Sequence, residues 1–236
     1  MVRPSAWSGC RVGANSSCAY ARGARPAPPL SCARRSHTRG YGHRRATRTV
    51  VLPVDRVRRI LLISGSLRRY STNTAVLATA QVASPTGIVA ALYEGVAGLP
   101  HFNPDDDGPS LPEPVAVLRA QIRNADAVLF STPEYAGALP GSFKNVLDWA
   151  VGDDQPGSLN GKPVAWVNVS PRGAEHARES LRRVLGYLGA AIVESACLNI
   201  PVSRDAVDDD GLIPSDEIRA QIVVALSELA ARTEPG

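Results

Sequence analysis

A short stretch that follows a buried apolar run concentrates hydroxyl, amide and guanidinium groups. It runs Ser64-Gly65-Ser66-Leu67-Arg68-Arg69-Tyr70-Ser71-Thr72-Asn73 and enters a predicted helix. The first turn of a helix presents unpaired N–H groups and the positive end of the helix dipole, so it attracts anions. Either Arg68 or Arg69 could pair with an anion in a bidentate manner. The possible hydroxyl and amide donors are Ser66, Ser71, Thr72 and Asn73. Alternatively, Ser71 or Thr72 only caps the helix. One cap needs one such residue, so we predict an anion site.

The glycine spacing indicates which anion fits. Gly65 is the only glycine in this stretch, which excludes both the G-x-x-x-x-G-K-[ST] loop and the G-x-G-x-x-G dinucleotide loop. Glu94 lies near the expected place of a ribose-binding acid, so a dinucleotide-binding fold remains a minor alternative. A phosphatase needs a nucleophile, and no cysteine lies between Cys32 and Cys197. The stretch is therefore expected to hold a phosphomonoester, such as that of FMN, rather than to cleave it.

A second stretch, after another apolar run, places two prolines and two glycines around a tyrosine. It runs Thr132-Pro133-Glu134-Tyr135-Ala136-Gly137-Ala138-Leu139-Pro140-Gly141. Proline and glycine fix a rigid, open backbone, which could lay N–H and C=O groups along the edge of a planar ring. Tyr135 would add an aromatic wall. The alternative is an ordinary connection to a helix that begins near Gly141.

The elements that position these stretches alternate between strands and helices. Apolar runs predict strands at residues 59–64, 88–93, 127–131, 163–169 and 191–194. Composition and helical periodicity predict helices at residues 72–83, 115–124, 142–150, 175–188 and 217–233. This alternation predicts an α/β protein with a flavodoxin-like, doubly wound, five-stranded parallel sheet of order 2-1-3-4-5. Ligands of such sheets bind beyond the carboxyl ends of the strands, so the loops after strands one, three and four should carry the function.

From about Arg58 to Thr233 the chain resembles the NADPH-dependent FMN reductase family, which includes quinone, chromate and azo-dye reductases. The family motif G-S-L-R-x-x-S-x-N begins here at Gly65. The motif P-E-Y-x-x-x-x-P-G-x-x-K-N-x-x-D-W begins at Pro133 and ends at Trp149. Two long matches in the right order make the resemblance specific.

The resemblance implies a set of residues that bind FMN. Those implied to hold its phosphate are Ser66, Leu67, Arg68, Ser71, Thr72 and Asn73. Those implied to line its isoalloxazine are Pro133, Glu134, Tyr135 and Ala136, with Ser170 in a third, less sharply matched loop. One position departs from the family, which usually has Asn where this chain has Ala136. That change removes an amide from the flavin edge.

The resemblance also implies the reaction. An oxidoreductase of this family passes two electrons from NAD(P)H through FMN to a small acceptor, such as a quinone, azo compound, metal oxyanion or free flavin. The flavin carries the chemistry, so no catalytic side chain is predicted, and His101 and His176 are interpreted as solvated. The alternatives are a non-enzymatic flavodoxin-like electron carrier and, less favoured, a Rossmann-type dinucleotide-binding enzyme.

Charge divides the chain at about residue 55. Residues 1–54 contain ten Arg and no Lys, Asp or Glu, whereas the remaining 16 basic residues face 22 acidic ones. We predict an Arg-rich disordered extension at residues 1–55 and the FMN-binding reductase domain at residues 56–236. The same composition also fits an organellar transit peptide or a wrongly assigned start codon. The domain's net charge of −6 gives no indication of nucleic acid as a partner.

The cysteines and the hydropathy of the chain indicate its compartment and whether a metal or a membrane is expected as a partner. Cys10, Cys18 and Cys32 lack the close pairs of a zinc site, so no metal site is predicted. Cys197 is the only cysteine of the predicted domain, which fits a reducing, cytoplasmic compartment. No apolar run approaches the ~18 residues of a membrane span, so no membrane partner is expected.

Assembly is predicted from the helix at residues 142–150. Phe143, Val146, Leu147 and Ala150 form one stripe, and Trp149 points roughly 100° away from its centre. A large aromatic residue outside the stripe needs another covering surface, either a partner subunit or a loop of its own chain. The family resemblance also implies subunits. We predict a homodimer or homotetramer with the flavin near the subunit boundary.

Overall fold

The computed structural model describes residues 56–233 as alternating strands and helices. The strands are β1 (Arg58–Ser64), β2 (Ile88–Tyr93), β3 (Ala127–Ser131), β4 (Pro163–Asn168), β5 (Ala191–Ile192) and β6 (Leu198–Asn199). The helices are α1 (Thr72–Val82), α2 (Glu113–Asn124), α3 (Gly141–Val151), α4 (Glu175–Tyr187) and α5 (Asp216–Ala231). The predicted extension at residues 1–55, with Cys10, Cys18 and Cys32, lies outside the described residues. None of the described helices is long and apolar enough to cross a membrane.

All strand pairs are parallel, and the sheet order is β2-β1-β3-β4-β5, which confirms the predicted flavodoxin-like topology. β1 lies inside the sheet between β2 and β3, and every residue of this strand from Ile60 to Ser64 is buried. A strand covered on both faces is apolar throughout rather than alternating. The order reverses beside β1, and its carboxyl end therefore opens at the switch point where ligands bind.

Two apolar layers hold the helices against the sheet. One layer packs Leu61 and Ile63 of β1 against helices α2, α3 and α4. The other packs Ile60 and Leu62 against helices α1 and α5. Successive β1 side chains point to opposite faces, so this single strand joins both layers and fixes the position of the loop that follows it.

The fifth strand is where the structure departs from the predicted sheet. Residues 191–194 were expected to form one strand, but the edge of the sheet consists of two short strands that both pair with β4. β5 aligns Ala191 with Pro163, and β6 aligns Asn199 with Asn168. A 3-10 turn at Glu194–Ala196 separates them. The edge chain is therefore longer than the β4 segment it follows, and its extra residues form the 3-10 turn, where Ala196 is buried in the core.

Candidate active site at the carboxyl edge of the sheet

A cleft of about 680 Å³ opens where the loops after β1, β3, β4 and β6 converge. Nine of the eleven predicted site residues line it: Ser66, Arg68, Ser71, Thr72, Asn73, Pro133, Glu134, Tyr135 and Ser170. Leu67 and Ala136 lie on the same loops but are not part of the lining. The volume is within the range of about 300–1,000 Å³ that is typical of small-ligand sites.

The loop after β1 is held close to β3 by its glycine. The Gly65 N–H donates to the Ser131 carbonyl oxygen at 2.7 Å. A Cβ atom on Gly65 would overlap Thr132 Oγ1 and lie 2.9 Å from the Phe143 ring. Glycine is therefore required here for close approach. The buried Ser64 hydroxyl organises the turn that follows, because Ser64 Oγ lies 3.3 Å from the Ser66 N–H and 2.9 Å from Thr74 Oγ1.

The N-terminus of helix α1 faces this loop without a side-chain cap. Ser71 occupies the N-cap position, yet its side chain makes no capping hydrogen bond. In the described part of the chain, no group accepts from the N–H groups of Thr72, Asn73 or Thr74. The sequence left open whether Ser71 only caps the helix, and the structure leaves that hydroxyl uncommitted. The helix end therefore offers donors and a positive dipole to an anion.

Asn73 is buried in the first turn of α1, and its orientation is set by β3. The Ser131 hydroxyl lies 3.0 Å from Asn73 Oδ1 and 2.8 Å from the Val167 carbonyl oxygen. With Asn73 Oδ1 turned toward Ser131, its amide nitrogen is turned away from that strand. Asn73 therefore couples the α1 N-terminus to two central strands.

The two arginines of the loop have different surroundings. Arg68 is exposed and lines the cleft, and within residues 56–233 its guanidinium donates only a long hydrogen bond of 3.4 Å to the Tyr70 carbonyl oxygen. Arg69 instead lies over the Tyr70 ring, 5.6 Å from its centroid. Arg68 is therefore the better placed of the two to pair with an anion in the cleft.

The loop after β3 ends in a two-residue hairpin. Tyr135 and Ala138 exchange backbone hydrogen bonds of 3.1 and 3.0 Å, and the two residues between them have positive φ angles, +50° at Ala136 and +70° at Gly137. Two successive positive φ angles define a type I′ turn, for which Asn-Gly is the preferred pair. The family's usual Asn at position 136 thus has a backbone explanation besides any contact with flavin.

Glu134 ties this hairpin to helix α4. Its Oε2 accepts a hydrogen bond of 3.1 Å from the Ala177 N–H in the first turn of that helix. A carboxylate at a helix N-terminus is stabilised by the unpaired N–H groups and the dipole. The two helices that point at the cleft therefore differ, since the α4 end is closed by a carboxylate and the α1 end is open.

Asn168, at the end of β4, orders the third loop. Its amide nitrogen donates to the Gly173 carbonyl oxygen at 2.7 Å and to Asn199 Oδ1 at 3.0 Å. Its Oδ1 accepts from the Ser170 N–H at 3.1 Å. Ser170 lines the cleft, so this asparagine fixes one wall. Sequence reasoning missed Asn168, whose only signal is a polar residue at the end of a buried strand.

The later residues of the motif that begins at Pro133 lie on α3, outside the cleft lining. The Asn145 amide donates to the Pro100 carbonyl oxygen at 2.8 Å and accepts from the Phe102 N–H at 2.7 Å. Trp149 Nε1 also donates to the Pro100 carbonyl oxygen at 2.8 Å, and its ring packs edge-on against Phe102. Trp149 is fully buried. The sequence left open whether a partner subunit or a loop of its own chain covers this residue, and the structure shows that the loop at Pro100 and Phe102 does so.

Several lining residues were not predicted as site residues. They are Val169, Pro171, Arg172, Ala174, Glu175, His176, Val202, Ser203 and Arg204. Most follow β4, and the last three follow β6, a strand that the sequence did not predict. Cys197 is not part of the lining, and burial raises the pKa of its thiol to about 11. Among residues 56–233 no cluster of three metal-ligating side chains occurs.

The fold and the cleft define a flavodoxin-like protein with its ligand site at the carboxyl edge of a parallel sheet. Residues 58–205 match the model of the NADPH-dependent FMN reductase family, and the chain belongs to that family. It is therefore an oxidoreductase that uses FMN and takes electrons from NAD(P)H, as the two motifs predicted. This favours the enzyme over the electron-carrier and Rossmann-type alternatives.

The chain is also similar to individual reductases and to a solved flavoenzyme. An NAD(P)H-dependent FMN reductase of Pseudomonas aeruginosa is 36% identical over 174 residues, which are 72% of this chain and 92% of the relative. A 2-hydroxy-1,4-benzoquinone reductase of a Burkholderia species is 30% identical over 175 residues, 73% and 94% of the two chains. The solved flavoenzyme NAD(P)H:acceptor oxidoreductase of Paracoccus denitrificans superposes with a TM-score of 0.65 at 28% identity, over 75% of this chain and all of that one.

Proposed function

We propose that the cleft binds FMN with its phosphate at the N-terminus of α1, and that the enzyme reduces quinones with electrons from NAD(P)H. The observation that carries the phosphate assignment is the open helix end beside the uncommitted Ser71 hydroxyl. The N–H groups of Thr72 and Asn73 lie there without acceptors in the described chain. These are the features of an anion site built from backbone donors.

The remaining phosphate ligands come from the same loop. Ser66 and Thr72 bring hydroxyls to the cleft, Asn73 brings its amide, and Arg68 brings a positive charge. Leu67, exposed and outside the lining, contributes its position in the turn rather than a polar group. The donors outnumber what a helix cap requires, and this supports a phosphomonoester as their ligand.

The flavin ring is assigned to the wall formed by the loops after β3 and β4. Pro133, Glu134 and Tyr135 line one side, and Ser170 lines the other. Ala136 is at the tip of the hairpin, outside the lining, so we assign it the role of shaping the turn. The hairpin and the Asn168 network hold both loops, which favours a preformed site.

FMN held by these loops would supply the two-electron chemistry between the nicotinamide and the acceptor. The protein binds the phosphate, orients the ring and leaves one side of the cleft open to donor and acceptor in turn. No side chain is required as an acid or base. His176 lines the cleft but is exposed, and we assign it no catalytic role.

A quinone is the proposed acceptor class. One relative with 30% identity over 94% of its own length is named a 2-hydroxy-1,4-benzoquinone reductase. A planar acceptor suits a cleft with an exposed tyrosine at its edge, since Tyr135 is half exposed. We also infer a cytoplasmic location and a homodimer or homotetramer, which rest on the single domain cysteine and on the family resemblance.

The test of the cofactor begins with the purified protein, which should be yellow and should bleach when NADPH is added without oxygen. Addition of a benzoquinone should restore the colour. Mass spectrometry of the released chromophore should identify FMN. The presence of FAD, or the absence of any flavin affinity, would contradict the assignment.

A second experiment tests the phosphate position. The apoprotein should bind FMN far more tightly than riboflavin, which lacks the phosphate. Ser71→Ala should weaken FMN binding several-fold and leave riboflavin binding and thermal stability unchanged, because Ser71 makes no capping bond. Ser84→Ala, which removes a hydroxyl bonded to the Ala80 carbonyl oxygen at the far end of α1, is the matched control. Equal losses for both flavins would remove the phosphate from the α1 end.

A further inference from the structure

The cleft has basic groups on the side opposite the α1 loop that the FMN assignment does not use. Arg172 follows β4, and Arg204 follows β6. Both are exposed, and both line the cleft, together with His176 and Ser203. These residues belong to different loops from the phosphate-binding donors, so the cleft carries cationic groups on two of its walls.

The two arginines lack the acidic partners that many other arginines of the domain have. Arg119 pairs with Asp107 and Arg123 with Asp153. In the described chain neither Arg172 nor Arg204 has a carboxylate within 4.0 Å of its guanidinium. An arginine without a local acid keeps its full charge available for a ligand.

The carboxylates near these arginines either accept hydrogen bonds from other groups or form no ion pair within residues 56–233. The Ser203 hydroxyl bonds the Asp205 carboxylate and lowers the pKa of that neighbour of Arg204. Glu134 is bound to the Ala177 N–H. Glu175 also lines the cleft, without an ion pair in residues 56–233. Hydrogen bonding leaves Asp205 and Glu134 ionised, but among residues 56–233 none of these three carboxylates forms an ion pair with Arg172 or Arg204.

The architecture of the sheet edge explains how Arg204 reaches the cleft. After β5 the chain stops pairing with β4. It pairs with β4 again as β6, at the carboxyl end of that strand. Pairing continues past β6, because the Ile200 and Val202 N–H groups donate to the Asn168 and Val169 carbonyl oxygens at 2.8 and 3.0 Å. This carries the Arg204 turn alongside the loop that holds Arg172. The split edge strand thus places both arginines at one site.

We propose that Arg172 and Arg204 form a second anion subsite that binds phosphate groups of the nicotinamide donor. The inference rests on the proposed FMN site, since FMN brings one phosphate and the α1 loop accounts for it. NADH carries a pyrophosphate, and NADPH carries a 2′-phosphate in addition. Arginine forms bidentate, charge-assisted bonds with such groups. Two arginines that the FMN assignment does not use, one beside Ser170 on the loop after β4 and one on the loop after β6, match the remaining negative charge of the dinucleotide.

The experiment uses the flavin-loaded enzyme and the variants Arg172→Ala, Arg204→Ala and their double mutant. Arg183→Ala is the matched control, because it removes the same charge from α4 at an exposed position where Arg183 pairs with Glu179. Binding of NADP⁺ and NAD⁺ is measured by calorimetry. The KM values for NADPH, NADH and dihydronicotinamide riboside, which has no phosphate, are measured beside it.

The double mutant should bind NADP⁺ about tenfold or more weakly, as the loss of charge-assisted bonds predicts. Its KM for the phosphate-free donor and its FMN affinity should stay at wild-type values. A loss confined to NADP⁺ and NADPH would support the subsite and identify the 2′-phosphate. A loss shared with NAD⁺ and NADH would support it and identify the pyrophosphate. Arg204→Lys should recover part of the binding, because it restores the charge.

Two outcomes would overturn the subsite while leaving the proposed function intact. One is unchanged dinucleotide binding in the double mutant of an active, FMN-loaded enzyme. The other is a fall in FMN affinity, which would assign the arginines to the flavin. A wild-type protein that holds no flavin and oxidises no NADPH would contradict the proposed function itself.

Discussion

At the scale of single residues, the cleft is marked by strained backbone. Within residues 56–233, three non-glycine residues have positive φ angles, namely Tyr70 at +56°, Ala136 at +50° and Ala174 at +43°. One lies on each of the loops after β1, β3 and β4. The left-handed region costs an L-residue about 1–2 kcal/mol, and such residues cluster at functional sites where the surroundings hold them. The three loops are therefore shaped against local preference, which fits their role as cleft walls.

Ala136 gives the most direct test of this strain. Ala136→Gly and Ala136→Asn should each raise the free energy of unfolding by about 1 kcal/mol, because both residues tolerate positive φ. Urea unfolding monitored by circular dichroism measures the change. Ala138→Gly, on the same hairpin without a positive φ, should lower stability or leave it unchanged. Destabilisation by both Ala136 variants would argue against strain at this turn.

Arg68 should contribute to FMN affinity through its charge. Arg68→Ala should weaken FMN binding about tenfold or more, since bonds to charged groups contribute roughly 1.5–3 kcal/mol each, and the loss should shrink at high salt. Fluorescence titration of the apoprotein measures it. Arg69→Ala is the control, because Arg69 lies over the Tyr70 ring. If only the control loses affinity, Arg69 is the phosphate ligand.

Most of the candidate site could be predicted from residue types, because loops at the carboxyl ends of neighbouring parallel strands must converge. The state of Ser71 could not, since a helix-start serine has the same sequence signal whether or not its hydroxyl caps the helix. The position of Ala136 outside the lining depends on a turn type. That turn type became visible only in the backbone angles.

At the scale of elements, the motif that ends in Trp149 has two separate roles. Its first residues line the cleft, whereas Asn145 and Trp149 clamp the Pro100 carbonyl oxygen and so hold the segment after β2 against α3. Helical periodicity placed Trp149 outside the stripe of α3 but could not identify what covers it. That depends on where a long, irregular segment packs, which local sequence does not determine.

The hydrogen bond from Trp149 to the Pro100 carbonyl oxygen should contribute to stability but not to FMN binding. Trp149→Phe should lower the free energy of unfolding by roughly 1–3 kcal/mol, because the Pro100 carbonyl oxygen loses a buried donor. FMN content should be unchanged. Thermal and urea unfolding, with flavin absorbance as the second measurement, check both. A variant of wild-type stability would show that Asn145 alone holds the loop.

The edge strand β6 is the second element that the sequence could not predict. A strand of two residues such as Leu198–Asn199, one of them polar, is too short to be recognised from the sequence. Its pairing with β4 comes from the tertiary position of the preceding 3-10 turn. By contrast, β1, β3 and β4 have several consecutive buried residues, β2 alternates, and the bounds of all four strands were predicted within one residue.

At the scale of the whole molecule, both motifs and the matched family region fall within residues 58–205. Deletion of residues 1–54 should therefore leave FMN content and NADPH oxidation at full-length values, since that segment contributes no motif residue. Flavin absorbance per protein and a steady-state assay with a quinone measure the outcome. A truncated protein that is insoluble or lacks flavin would show that the extension belongs to the folded domain.

The interruption between β5 and β6 also affects how readily this edge of the sheet could pair with a strand of another molecule. A sheet edge with a continuous row of free backbone groups is a template for pairing with another chain. On one side of this sheet, β5 and β6 offer two residues each, separated by a turn. On the other side, β2 runs unbroken for six residues. Aggregation through strand addition should accordingly begin at β2, and the edge that supports Arg204 should be resistant to it.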